Sequence, residues 1–196
     1  AHSYRSLILL NLNKSLLKAA SNGNDGYRIL SDVIKQKPDY YDAYMGLGLY
    51  KIAIGFVPEK FQWLLSIIGF DGNIKNGLDL LKTSLEKGKF TKIEAKVYYS
   101  ISSITEKEDN STVSVDYAKQ LVDEYPESPI FRLVYAMMLQ ERTRVDESIT
   151  QVNKALETNN RSLQNEMKKG GNALLGNAYF KKNDFASAIR VIEEHL

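Results

Sequence analysis

The residue types that most often carry out chemistry are scarce in this chain. Its 196 residues include no cysteine and only two histidines, His2 and His195. That excludes thiolate zinc sites, cysteine nucleophiles and any three-histidine metal centre. Three clusters remain to be weighed. Glu106, Glu108 and Asp109 could form an acid pair, but no apolar residues surround them to shift a pKa, and they read as an exposed loop between helices. Asp71-Gly72-Asn73 offers calcium-type oxygens, yet Lys75 and Leu80 stand where further ligands are needed, so a turn is the better reading. Gly46-Leu47-Gly48 is a fragment of a dinucleotide fingerprint with no strand before it and no third glycine in place, and close helix packing explains it better. No catalytic, cofactor-binding or metal-ligating residue is assigned, and no cofactor is expected.

Charge narrows the partner classes. Twenty-six basic residues against 24 acidic ones give a net charge of +2, too little to hold a phosphate backbone by charge alone, so nucleic acid is set aside. The most apolar stretch, Ile52 to Phe70, is interrupted by Pro58, Glu59 and Lys60. A bilayer span needs about 20 residues with few or no charges, so no transmembrane segment is expected.

The elements that must position any site are helical. Gly and Pro together number 16, and apolar residues recur at helical spacing over 27–35, 93–105 and 145–157, while β-branched alternation is nearly absent. Such uniform elements call for a test of self-similarity. Small residues mark one helix of each unit at Gly48, Ser102, Ala136 and Gly176, with Lys14 in the first unit. A second small position follows at one fixed step, at Gly26, Ser114, Ser148 and Ala188, and Pro38 and Pro126 lie the same step further on, where each stops a helix. In the second unit the step runs from Gly48 all the way to Gly77, more than twice as far, which places an insertion inside that unit.

The run Leu175-Gly176-Asn177-Ala178-Tyr179, with Asn183-Asp184-Phe185, Ala188 and Ile192, resembles the tetratricopeptide repeat (TPR), whose pattern is Leu-Gly, Tyr, Ala and a late apolar residue at this spacing. The Asn-Asp pair is suited to making the turn and capping the second helix. The resemblance implies an all-α, right-handed α-solenoid of antiparallel helix pairs. Its single domain, 1–196, would comprise units at about 7–40, 41–90 with the insertion at about 55–73, 91–128, 129–162 and 163–196. Asn13-Lys14 and Ile101-Ser102 depart from Leu-Gly, making the first unit a cap and the third a degenerate repeat. Gly46-Leu47-Gly48-Leu49-Tyr50, the Pro58 excursion, FQWLLSIIGF over 61–70 and Gly77-Leu78 are similar to a TPR-like subgroup that includes bacterial envelope proteins and the inclusion-body-clearance type. A periplasmic or envelope-associated setting is then favoured over the cytoplasm.

Two surfaces are candidate sites. In TPR folds the first helix of each pair lines the concave face, which here takes Met45, Leu49, Ile52, Tyr99, Leu133, Met137, Leu174, Asn177 and Phe180. This mostly apolar set suits a helix or an extended peptide; equally, the insertion or a neighbouring helix fills the space. A carboxylate clamp is not expected, because the matching positions carry Met45 and Leu49, or Ala173 and Asn177. The second surface is the insertion: Phe61, Trp63, Leu64, Ile67 and Phe70. With Leu65 and Ile68 its large side chains carry roughly 10 kcal/mol or more of burial tendency. They are expected to pack back on their own repeat, leaving a rim for a partner, a membrane surface or an apolar ligand. The function that follows is a non-catalytic protein-interaction scaffold or adaptor. The alternative is a carrier holding a lipid or other apolar molecule between groove and insertion.

Overall fold

The computed structural model describes residues 16–57, 70, 72–105, 111–157 and 164–193. Among these residues there are helices and a short 3-10 turn, Ser103–Thr105, and no strand. The helices are α1 (Leu16–Gln36), α2 (Asp42–Gly55), α3 (Ile74–Lys87), α4 (Lys92–Ser102), α5 (Ser111–Glu124), α6 (Pro129–Glu141), α7 (Val145–Leu156), α8 (Gln164–Lys181) and α9 (Phe185–Glu193). The chain divides into two compact units, Ala1–Ser102 and Ser103–Leu196.

In the first unit each helix packs on the next, and α2 also touches α4. Small residues set the distances. A Cβ at Gly48 would lie 2.7 Å from the Gly77 carbonyl oxygen, and one at Gly77 would lie 2.7 Å from the Gly48 carbonyl oxygen. The backbones of α2 and α3 therefore meet at this pair, and the long step from Gly48 to Gly77 restores the contact that a short turn provides in a regular unit. The chain re-enters α3 through Gly72, where a Cβ would lie 2.5 Å from the Gly55 nitrogen. Asn73 then caps α3, its side chain accepting from the Asn76 N–H at 2.8 Å, which satisfies one of the free donors of the first turn. Of the segment read as a turn, Asp71 lies outside the described residues, and Asn73 is extended as the cap.

A carboxylate ties the unit together. Asp42, in the first turn of α2, accepts hydrogen bonds at Oδ1 from the backbone N–H groups of Lys89, Phe90 and Thr91 and from the Thr91 hydroxyl, all at 2.8–2.9 Å. One oxygen thus gathers the loop between α3 and α4. Partial burial pushes the Asp42 pKa up, but the hydrogen bonds from Thr91, Phe90 and Lys89 outweigh it, and the net direction is below the usual aspartate value.

The first helix differs from the expected pattern. The sequence places a short amphipathic helix at 27–35, whereas α1 runs without a break from Leu16 through Gly23 and Gly26 to Gln36. Asn22-Gly23-Asn24-Asp25 has turn chemistry, but tertiary contacts win. The Tyr27 ring stacks on Tyr50 at 4.3 Å, the Tyr50 hydroxyl donates to Asn24, and Leu30 fills the space beside Gly46. Gln36 ends α1 just before Pro38 and Glu124 ends α5 just before Pro126, as the prolines require. The two breaks share a device: the side chain six positions on donates to the proline carbonyl, Tyr44 to Pro38 at 2.9 Å and Arg132 to Pro126 at 2.7 Å.

In the second unit α5 to α9 pack in sequence, and α6 also touches α8. Its core joins Ala136, Val152, Leu175 and Val191, with Leu133, Ile149, Leu156, Leu174 and Tyr179 against them. The α6–α7 and α8–α9 turns share one geometry. Thr143 and Asn183 take φ of 58° and 61°, and the next residue donates its N–H back to the same helical position, Arg144 to Leu139 and Asp184 to Tyr179. Asn suits this left-handed conformation and Thr does not. Asp184 then caps α9 through the Ser187 N–H at 3.1 Å, as the Asn-Asp pair implies.

Two substitutions in glycine test the close approach against helix propensity. Gly48→Ala must displace the Gly77 carbonyl and is expected to lower unfolding free energy by about 1–3 kcal/mol. Gly170→Ala, in α8, meets nothing within 4 Å and is expected to raise it by up to about 1 kcal/mol. Equilibrium denaturation of both variants decides the point; equal effects contradict the packing account. Asp42→Asn tests the carboxylate. Because the folded pKa is lowered, its stabilisation is complete above the unfolded value of about 3.9 and disappears as pH falls through the folded value. The wild type is expected to exceed the variant by about 1–2 kcal/mol at neutral pH, with the gap closing in strong acid. Denaturant titrations at several pH values check this.

Candidate functional site

The two units carry their shares of the candidate face separately. In the first, Met45 and Leu49 on α2 are half-buried. Ile52 and Tyr99 are each 4% exposed and present no surface. The reason for Ile52 is the glycine crossing: its side chain occupies the space beside Gly77, where a Cβ would lie 2.5 Å from Cγ1. The helix turn that brings Gly48 against α3 turns Ile52 the same way, four positions on.

In the second unit Leu133 and Leu174 are half-buried against the core, and Met137 is half-buried on α6. Asn177 and Phe180 are exposed on α8. Asn177 is held in place, its Nδ2 donating to Gln140 Oε1 at 2.9 Å. Phe180 is 62% exposed and meets Phe185 edge-on at 5.6 Å. Leu174 packs on the core that Leu133 also touches, and Asn177 reaches Gln140 of α6, whereas Phe180 lies against Phe185 of α9.

Sequence reasoning did not single out Gln140, which organises this region. It is 2% exposed, and its side chain uses both ends. Nε2 donates to Ser148 Oγ at 3.0 Å and to the Leu174 carbonyl at 2.9 Å, while Oε1 accepts from Asn177. Its backbone carbonyl accepts from Lys181 Nζ at 3.1 Å. One amide therefore joins α6, α7 and α8, and being fully paired it can stay buried at little cost. Its signal in the sequence was weak: a polar residue four positions after Ala136, on the same helix face.

Of the insertion residues, Phe61, Trp63, Leu64 and Ile67 lie outside the described residues. Phe70 is inside them and is 8% exposed. Its ring lies 6.2 Å from that of Tyr50 and nearly parallel to it, and Tyr50 stacks in turn on Tyr27, with Lys51 Nζ 5.7 Å from the Tyr27 ring centre. At this end the insertion returns to its own repeat and is anchored by an aromatic column joining α1 to α2.

An apolar concavity lies along the α8–α9 hairpin. It measures about 750 Å³ and is lined by Ala173, Gly176, Phe180, Phe185, Ile189 and Ile192, among others. Among the described residues no group of three or more His, Cys, Asp or Glu side chains could hold a metal ion, and no helix is long and apolar enough to cross a membrane.

No curated protein matches the chain. Among solved structures it is similar to MamA (AMB-1, P212121 form), at 13% identity over 99% of this chain and 95% of that one, with a TM-score of 0.61. This likeness shows the fold, an all-α helical-repeat solenoid of TPR type. The model of the Iml2/Tetratricopeptide repeat protein 39 family matches residues 42–192, well over half of the chain, and the chain belongs to that family.

Proposed function

We propose that the chain is a non-catalytic adaptor that binds another protein through apolar side chains on the first helices of its repeats. The observation that carries this reading is the placement of Met45, Leu49 and Met137, which are half-buried on α2 and α6 rather than sealed in a core. Long unbranched and γ-branched side chains left partly open can re-pack around a partner's apolar residues. Membership of a helical-repeat family supports it, since such repeats present extended surfaces for binding. The polar residues nearby are already used: Asn177 is tied to Gln140, and Lys181 to Gln140 and Glu141. That leaves recognition to shape and apolar contact, with a partner segment held as a helix or extended strand.

Leu49→Asp together with Met137→Asp is expected to remove a protein partner captured from the source organism, weakening binding by at least about tenfold while the helical circular dichroism is unchanged. Capture undiminished by both changes contradicts the reading. Native mass spectrometry of the same preparations separates it from the carrier alternative. An apolar small molecule surviving purification on the wild type and lost from the variant, with no protein captured, means a carrier.

A further inference from the structure

One end of the first unit gathers the end of α1, the start of α2, the end of α3 and the start of α4. Asp42, at the start of α2, holds the N–H groups from Lys89 to Thr91, and Lys87 Nζ lies 5.4 Å from the centre of the Tyr41 ring. The chain leaves for the insertion and returns from it at the opposite end, where Gly72 comes back against Gly55. Phe90 stands in the α3–α4 loop at the first of these ends. It is 72% exposed, more than any other large apolar side chain among the described residues, although its own N–H is fixed on Asp42 at 2.8 Å. With three successive N–H groups on one oxygen, the loop holds the ring out instead of folding back over it. Tyr40, on the other side of Asp42, is 48% exposed.

Lysines flank the ring. From Lys87 to Ile93 the chain holds three lysines and no acid, and Lys89 Nζ lies 5.3 Å from the Phe90 ring centre. Among the described residues Lys87, Lys89 and Lys92 have no carboxylate partner; the ion pair at this end joins Lys35 to Asp32. The exposed acids Asp39, Glu86 and Glu94 lie outside this run. Lys87 suits the C-terminal end of α3, but Lys92 opens α4, where the helix dipole disfavours a positive charge. An open phenylalanine and a lysine at the wrong end of a helix both run against the stability of the fold, which is the mark of residues kept for another purpose.

A single protruding ring with lysines beside it matches a lipid surface better than a protein. A stable protein interface takes about 800 Å² from each partner around a central anchor, and such interfaces are depleted in lysine. A bilayer needs only the tip. An aromatic side chain enters the boundary between headgroups and acyl chains, and each lysine near an anionic headgroup adds attraction. The long lysine stems let the ammonium groups stay at the surface while the ring goes below it. We infer that the α3–α4 loop is a reversible contact for an anionic lipid surface, with Phe90 inserted and Lys87, Lys89 and Lys92 on the headgroups. This contact is distinct from the first-helix face and stands whether or not that face binds anything.

The test uses the full chain and an excess of unilamellar vesicles, of phosphatidylcholine alone or with about one-third phosphatidylserine. The protein is expected to sediment with the mixed vesicles at low salt and to be released as salt rises. Phosphatidylcholine alone is expected to bind it at least about tenfold more weakly. Phe90→Ser, a change at an exposed side chain, is expected to weaken binding to the mixed vesicles at least about fivefold, with the unfolding transition unchanged. Phe90→Trp is expected to bind as the wild type does and to show, on addition of vesicles, an emission blue shift larger than that of the wild type. Lys89→Gln with Lys92→Gln is expected to weaken binding at least about fivefold and to reduce the preference for phosphatidylserine. The Leu49→Asp, Met137→Asp protein is expected to bind vesicles as the wild type does, so that failure of the first-helix reading and failure of this one are separable. The proposal is overturned if the mixed vesicles do not bind, if both kinds of vesicle bind equally, if binding survives Phe90→Ser, or if Phe90→Ser costs the chain a protein partner while leaving vesicle binding as it was.

Discussion

The structure depends on how closely two helix backbones can approach. Between α2 and α3 the limit is set by Gly48 and Gly77, each of whose α-carbons faces the other's carbonyl oxygen with no room for a methyl group between. Interior packing at near-crystalline density leaves no slack to absorb one. Everything nearby takes its place from that crossing: Ile52 is turned inward beside Gly77, Asp42 is brought to the loop after α3, and the insertion can be far longer than a plain turn without shifting the helices it joins. The second unit uses the same idea less tightly. A Cβ at Gly176 would meet the Ile192 side chain at 2.9 Å but the Ala188 carbonyl only at 3.8 Å, so that crossing has a flexible side chain where the first has backbone.

Apolar contact alone does not fix register between helices that are all of one kind, and in each unit a polar residue does so. Asp42 holds three successive N–H groups with one oxygen, which pins the start of α4 to the start of α2. Gln140 binds a hydroxyl on α7, a carbonyl and an amide on α8. Both act between helices rather than within one, and both are satisfied in one alignment only. A slip at Gln140 would leave buried polar groups unpaired, at a cost of about 1–3 kcal/mol each, and one at Asp42 would give up the hydrogen bonds gathered on its one oxygen. This is how weakly periodic helices acquire a single arrangement.

The legibility of these features in the sequence follows the range of the interaction. Evenly spaced small residues and the prolines beyond them are local signals, and from Gly48 onward the helices they imply are present, while α5 and α1 end just before Pro126 and Pro38. The Asn183-Asp184 turn was legible for the same reason, since its cap lies on the nearby Ser187 N–H. Interactions across long separations were not. Nothing near Asp42 announces the distant loop at Lys89, and Gln140 looks like an ordinary polar residue until α8 brings up Leu174. The candidate face was legible in part, because helical spacing names the residues on one side of α2 without saying how wide the buried stripe is. Ile52 falls on the boundary and is captured by the glycine crossing, while Met45 and Leu49 are not. The long α1 was misjudged: the short helix expected at 27–35 is only its last part, and contacts of Tyr27 and Asn24 with Tyr50 of α2 hold the turns before it as well.

The exchange of Gln140 for Phe180 at equivalent positions shows how two hairpins of one turn geometry can differ in their ties. A buried amide demands that a particular neighbour supply its partners, and so it belongs where the neighbour is part of the same folded unit. An aromatic ring demands only apolar area, which many surfaces can supply, and it suffers little from exposure until they do. The first hairpin is therefore committed to α8, through Leu174 and Asn177. The second keeps the turn geometry of the first without its buried amide. In a helical repeat whose units differ little in shape, this exchange at one position separates a buried polar tie from an exposed aromatic ring.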